Sequence, residues 1–168
     1  LFRSYFEKFP VTYYSLDDRS SVQLVRNIFL RAVINDEIKN NYSVYDEYDI
    51  KDGETPEILA SRIYDNSEYH WLILHMNDII DPRFDWPLST YNLIRYCQSK
   101  YDNMYDDHHY EDSDGNWVNS NAAGAVSVSN YQYEDALNEL KRRIKILKPT
   151  YVDAVVQEFT KKIEGING

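Results

Sequence analysis

The run Asp52-Gly53-Glu54-Thr55-Pro56 imposes a local geometry that few folds accommodate. An acidic residue followed by glycine marks a tight turn. Thr55 is suited to cap a helix, and Pro56 to occupy its first position, where the missing N–H costs nothing. Upstream, Tyr42 to Ile50 alternates well enough to form a strand. Downstream, Ile58, Leu59 and Ile63 make the inward stripe of a helix ending near Tyr64, which Asp65-Asn66 breaks. Ser67 caps a second helix with Trp71, Leu72, Leu74 and His75 inward, stopping near Asn77-Asp78. The chain is thus pinned to a strand, a turn, a capped helix, a short turn and a second helix.

The flanks are less constrained. Val11-Thr12-Tyr13-Tyr14 reads as a short strand. Ser20 or Ser21 can cap a helix through Val22, Val25, Ile28 and Phe29, ending between Arg31 and Asn40. Pro82 and Pro87 make residues 79–88 irregular, with Phe84 and Trp86 anchored by burial. Ser89-Thr90 opens a third helix through Leu93, Ile94, Cys97 and Tyr101. Residues 102–130 turn polar, and Asp114-Gly115 signals a hairpin across which Tyr110 and Trp117 face each other. Ala122 to Ser129 carries little structural signal. From Tyr131 an amphipathic helix places Ala136, Leu137, Leu140 and Ile144 inward, and Ile144 to Leu147 finishes as a short strand. Pro149 begins a last helix with Val152, Val155, Val156, Phe159 and Ile163 inward, ending at Gly165.

Composition narrows the function. With 18 basic and 28 acidic side chains among 168 residues, the net charge of −10 repels phosphate backbones, so nucleic acid is not an expected partner. No apolar run approaches a membrane span. Leu1 to Phe6 lacks a basic stretch followed by an apolar one, so no leader is read there. The single cysteine, Cys97, excludes an intrachain disulfide and reads as a small buried hydrophobe.

Catalytic constellations are missing as well. His70 and His75 are five apart, off the i, i+4 spacing of helical metal ligands. His108 and His109 are adjacent, and so point to opposite sides of a strand. Acids at 106, 107, 111, 112 and 114 surround them, yet no register satisfies a calcium loop. No nucleophile elbow, phosphate loop or dinucleotide fingerprint is present. The chain is read as a non-enzyme with no catalytic, cofactor-binding or metal-ligating residues. Sixteen tyrosines beside three tryptophans and six phenylalanines exceed what a core of this size can use, and favour broad partner-facing surfaces.

The pattern from Tyr48 through Gly53-Glu54-Thr55 and Leu59-Ala60 to Asn77 resembles the lysin motif (LysM), whose fold is two helices on one face of a two-stranded antiparallel sheet. It departs in having Pro56 where lysin motifs usually have leucine, and in lacking a legible closing strand after Asn77. Gly53 to Ala60, Ile63-Tyr64, Tyr69 to Leu74, Asn77-Asp78, Asp81-Pro82 and Trp86-Pro87 together resemble the baseplate wedge protein 53 family of T4-like contractile-tailed phages. The likeness is strongest from Tyr48 to Lys100 and resumes over 131–163. The fold class is therefore α+β: a helix-rich chain around a LysM-like βααβ unit, with a β-hairpin insertion and C-terminal helices. Its segments are an N-terminal arm and helix (1–41), the LysM-like unit (42–88) and C-terminal helices (89–168) with the hairpin at 102–130, expected as one compact domain.

The resemblance implies a structural subunit of the virion tail baseplate, assembled in host cytoplasm. It would bind other baseplate wedge subunits and the sheath-initiating subunit, and join wedges around the hub. On this reading Gly53, Thr55, Pro56, Leu59, Ile63, Trp71 and Leu74 build the motif core. Phe2, Tyr5, Phe6, Phe9, Tyr64, Tyr69, Trp86, Tyr110 and Trp117 are candidate interface residues. The alternative is a LysM-type module binding peptidoglycan or chitin beside the Gly53 turn.

Overall fold

The computed structural model describes residues 9, 11–15, 22–26, 34 and 36–165. The architecture is α+β, as the sequence predicts. Elements run β1 (Val11–Ser15), β2 (Val22–Arg26), α1 (Asp36–Lys39), β3 (Tyr45–Asp49), α2 (Pro56–Tyr64), α3 (His70–Met76) and α4 (Pro82–Asp85). They continue with α5 (Thr90–Lys100), β4 (Asp107–Glu111), β5 (Trp117–Val118), β6 (Val126–Ser129), α6 (Asn130–Glu139), β7 (Arg143–Leu147) and α7 (Val152–Gly165). One-turn 3₁₀ segments precede α3 (Ser67–Tyr69) and α7 (Pro149–Tyr151).

Val22–Arg26 corrects the expected helix. It is a strand, paired antiparallel with β1 from Val11↔Arg26 to Ser15↔Val22. The apolar spacing of this stretch suits either period, and β-branched valines beside a strand only a short connection away favour the extended form. Ile28 and Phe29, assigned to the same helix, lie outside the described residues.

β3 finds its partner far along the chain. Ile50 N–H donates to Arg142 O at 3.0 Å and Lys148 N–H to Val44 O at 2.9 Å, which makes β3 and β7 an antiparallel pair. The order strand, helix, helix, strand is therefore present, with residues 81–142 between the second helix and the closing strand. Residues 79–88, expected to be irregular, include a one-turn helix. Asp81 caps α4 through its bond from Arg83 N–H, and Pro82 takes the first position.

Two compact units result: residues 1–47, 55–80 and 145–168, and residues 48–54 and 81–144. The first has an apolar interior in which Phe9, Ile34, Tyr45, Trp71, Leu72, Met76, Leu147, Val152, Val155, Phe159 and Ile163 are buried. Trp71 packs on Phe159 with ring centroids 4.5 Å apart. The second has a smaller interior of Leu93, Cys97 and Met104, beside the three-stranded sheet β5-β4-β6. Here the expected stripe of α6 is corrected. Leu137 and Leu140 are 41% and 79% exposed, and the helix instead buries Glu134 and Asn138. Each buried polar group has a partner, described below, and that satisfaction decides which face turns inward. Ile58 and Phe84, likewise expected inward, are 52% and 71% exposed.

Candidate interaction site

The motif core begins with the turn after β3. Glu54 N–H donates to Lys51 O at 3.1 Å, and the Glu54 carboxylate accepts from Lys51 N–H at 2.9 Å and from the Tyr48 hydroxyl at 2.9 Å. Gly53 bridges them at φ +75°, a left-handed conformation costly for any residue with a Cβ. Thr55 then caps α2, its hydroxyl accepting from Ile58 N–H at 3.3 Å, and Pro56 is buried at the first helical position. Leu59 and Trp71 are buried, whereas Ile63 and Leu74 are half-buried. Gly53 itself is exposed, so its contribution is conformational.

Asn77 does more than end a helix. Its side-chain amide accepts from Lys145 N–H at 2.7 Å and donates to Lys145 O at 2.8 Å, while also donating to Ile73 O. It thus offers Lys145 the donor and acceptor that a neighbouring strand would. The Lys145 ammonium lies over the Tyr45 ring, 4.9 Å from its centroid, and donates to Lys39 O. Lys39, itself buried, pairs with Asp78. The sequence marks Asn77 by its position in the motif, but its partner lies too distant along the chain to be read.

The described candidate interface residues are divided between the two units, and they differ in exposure. Phe9 is buried in the first unit's interior, and Phe2, Tyr5 and Phe6 lie outside the described residues. Tyr64 is half-buried and donates to Leu147 O at 2.9 Å, with burial pushing its phenol pKa up. Tyr69 meets Tyr64 edge-on. Trp86 is buried, its indole N–H bonded to Glu54 O at 2.8 Å. Tyr110 is half-buried and donates to Asp107, whose carboxyl is held below its usual range by the Ser127 hydroxyl first and by Tyr110 second. Trp117 remains 63% exposed.

Around Trp117 the strand register differs from the one expected. Tyr110 sits opposite Val118, and Trp117 opposite Glu111, so the two aromatic residues do not face each other. A bulge between Asp107 and His109 puts both histidines against the same aromatic set, rather than on opposite sides. His108 stacks on Tyr133 at 3.9 Å and His109 on Trp117 at 4.0 Å, and the two imidazoles meet through their Nδ1 atoms at 2.9 Å. His109 Nε2 also contacts Glu111 at 2.8 Å. No cluster of three or more His, Cys, Asp or Glu side chains is arranged to hold a metal among the described residues.

The buried carboxylate in the second unit has a structural task. Glu134 accepts from the Lys100 ammonium and the Tyr101 hydroxyl, both at 2.6 Å. Burial pushes its pKa up, but these two bonds outweigh burial and hold it below the usual range. Asn138 repeats the Asn77 device, accepting from Leu88 N–H at 2.7 Å and donating to Leu88 O at 2.9 Å.

Asn77, Asn138 and Glu134 are thus engaged in holding backbone and neighbouring side chains. A family model described as Base plate wedge protein 53 matches residues 5–120, which take in the motif turn, α2, α3 and α5. Baseplate wedge protein gp53 of Enterobacteria phage T4 is 27% identical over 145 aligned residues, covering 70% of this chain and 72% of that protein. With most of its length matched, the chain belongs to the base plate wedge protein 53 family.

Proposed function

We propose that this chain is a non-enzymatic structural subunit of a phage tail baseplate wedge, located in the virion, that works by binding other proteins. The observation that carries this reading is the family match across residues 5–120, a span containing the motif turn and the helices built on it. Its finer content is that the chain joins other wedge subunits and the sheath-initiating subunit during assembly in host cytoplasm. One buried cysteine, kept protonated by burial, asks for no oxidising compartment. We further propose that β3, α2, α3 and β7 form a lysin-motif-like unit used for protein contacts, interrupted before its closing strand.

Co-expression with neighbouring baseplate proteins, read by sedimentation and mass analysis, tests the proposal. A stable heteromeric particle containing this chain is expected. A chain that stays monomeric with every neighbour, yet is retained on purified peptidoglycan and released by Gly53→Trp, overturns it in favour of a sugar-binding module.

A further inference from the structure

We propose that the groove between α5 and α6 docks an acidic amphipathic helix of a neighbouring baseplate protein. The inference rests on the structural-subunit reading and names a surface and the chemistry of what fits it. α5 contributes Asn92, Arg95, Tyr96 and Ser99 to the groove, and α6 with its following turn contributes Glu134, Leu137, Asn138 and Lys141. Both sets follow the i, i+3, i+4, i+7 spacing of one helical face. Each face spans about 10 Å along its helix, the length of two turns. The cavity encloses about 710 Å³, with Leu88, Leu93 and Phe84 completing its apolar lining. Phe84 and Leu137 are 71% and 41% exposed, an apolar surface that the chain itself leaves uncovered.

Charge selects the occupant. The chain carries ten more acidic than basic side chains, yet the groove is lined by Arg83, Arg95, Lys100 and Lys141 against Glu134 alone. Arg83 is engaged by Asp81, and Lys100 by Glu134. Arg95 lies over the Tyr91 ring and Lys141 donates to Phe84 O at 2.7 Å, and among the described residues neither is paired with a carboxylate. An apolar floor between two such cations matches a helix with one apolar stripe flanked by carboxylates.

A small ligand fits the groove less well. Small-molecule sites are oriented by a few polar groups converging on the cavity. Here the buried ones are spent, Asn138 on Leu88 and Glu134 on Lys100 and Tyr101, and no buried side-chain polar atom lacks a partner among the described residues.

The test uses the full chain and overlapping 20-residue synthetic peptides covering the other baseplate proteins of the same phage, read by fluorescence anisotropy. Acidic amphipathic peptides are expected to bind, more weakly as salt rises. Arg95→Glu is expected to weaken them roughly tenfold or more, and Leu137→Asp likewise, while Arg95→Lys retains binding. Arg95 is exposed, so its substitution leaves the melting temperature in place and decides the matter should Leu137→Asp unfold the chain. The proposal is overturned if the peptides that bind are basic or uncharged, if no peptide binds, if Arg95→Glu has no effect, or if a dT15 oligonucleotide occupies the groove instead. Assembly separates the two readings. A wild-type chain that enters no wedge particle defeats the structural-subunit proposal. A wild-type chain that enters while Arg95→Glu and Leu137→Asp enter equally well defeats the groove alone.

Discussion

The two units use one device in different settings. In each, a single asparagine amide satisfies both the N–H and the C=O of one residue: Asn77 holds Lys145, and Asn138 holds Leu88. Around Asn77 stands a broad apolar interior with Leu72, Leu147 and Ile163 fully buried. Around Asn138 the apolar interior is small, and charge-assisted bonds do much of the holding: Glu134 to Lys100, and Arg142 to Glu139. Burial of apolar surface involves no titrating group, whereas paired charges depend on pH. The first unit should therefore tolerate acid better than the second.

The largest expected effect tests the apolar side of that contrast. Leu72→Ala, at a fully buried position, is expected to destabilise the first unit by about 2–5 kcal/mol, measured by denaturant unfolding followed through Trp71 fluorescence. A loss below about 1 kcal/mol means that the site collapses around the deletion and that the interior is looser than described.

Next come the clamps. Asn77→Ala and Asn138→Ala each orphan a backbone donor and acceptor, with an expected cost of about 2–3 kcal/mol. Hydrogen exchange should accelerate at Lys145 N–H in the first variant and at Leu88 N–H in the second. Equal acceleration at both sites in either variant would show that the clamps are not local.

The charge pair gives a smaller, pH-dependent effect. Lys100→Met is expected to cost about 1–2 kcal/mol, because the lysine is partly solvated while Glu134 is buried. The Glu134 pKa is depressed in the folded state, so its stabilisation is present above the unfolded value, about 4.3, and lost as pH falls through the folded one. Acid titration followed by tryptophan emission should show Trp86 and Trp117 responding before Trp71. Glu134→Gln should flatten that response.

The smallest effect belongs to the turn. Gly53→Ala places a Cβ in open space but at positive φ, so about 1 kcal/mol of backbone strain is expected in thermal melts and nothing more.

What could be read from sequence divides along the same line as the energetics. Local rules placed α2 from its Thr55 cap and Pro56, α5 from Ser89, and α7 from Pro149 and its apolar period. They did not resolve Val22–Arg26, where a helical and an extended pattern coincide and only a pairing partner decides. They place α6 but not its inward face, because Leu137 and Leu140 look like core until the bonds of Glu134 and Asn138 are known. The histidine pair escapes strand alternation for a similar reason, since a bulge shifts the register on which that alternation depends. The motif-core residues are visible as a pattern, whereas the candidate interface residues are marked only by aromatic character. That character does not distinguish exposed Trp117 from buried Trp86. The groove has no local signature, since its two faces become one surface only when α5 and α6 lie together.

The late position of β7 has a consequence for how the subunit is made. During synthesis β3 emerges early and waits for a partner that the ribosome delivers only after all of residues 81–142. A chain that terminates prematurely therefore never closes this sheet, and it leaves a strand edge for proteases and chaperones to find. Placing the closing strand behind residues 81–142 thus makes synthesis of that whole stretch a condition of completing the sheet.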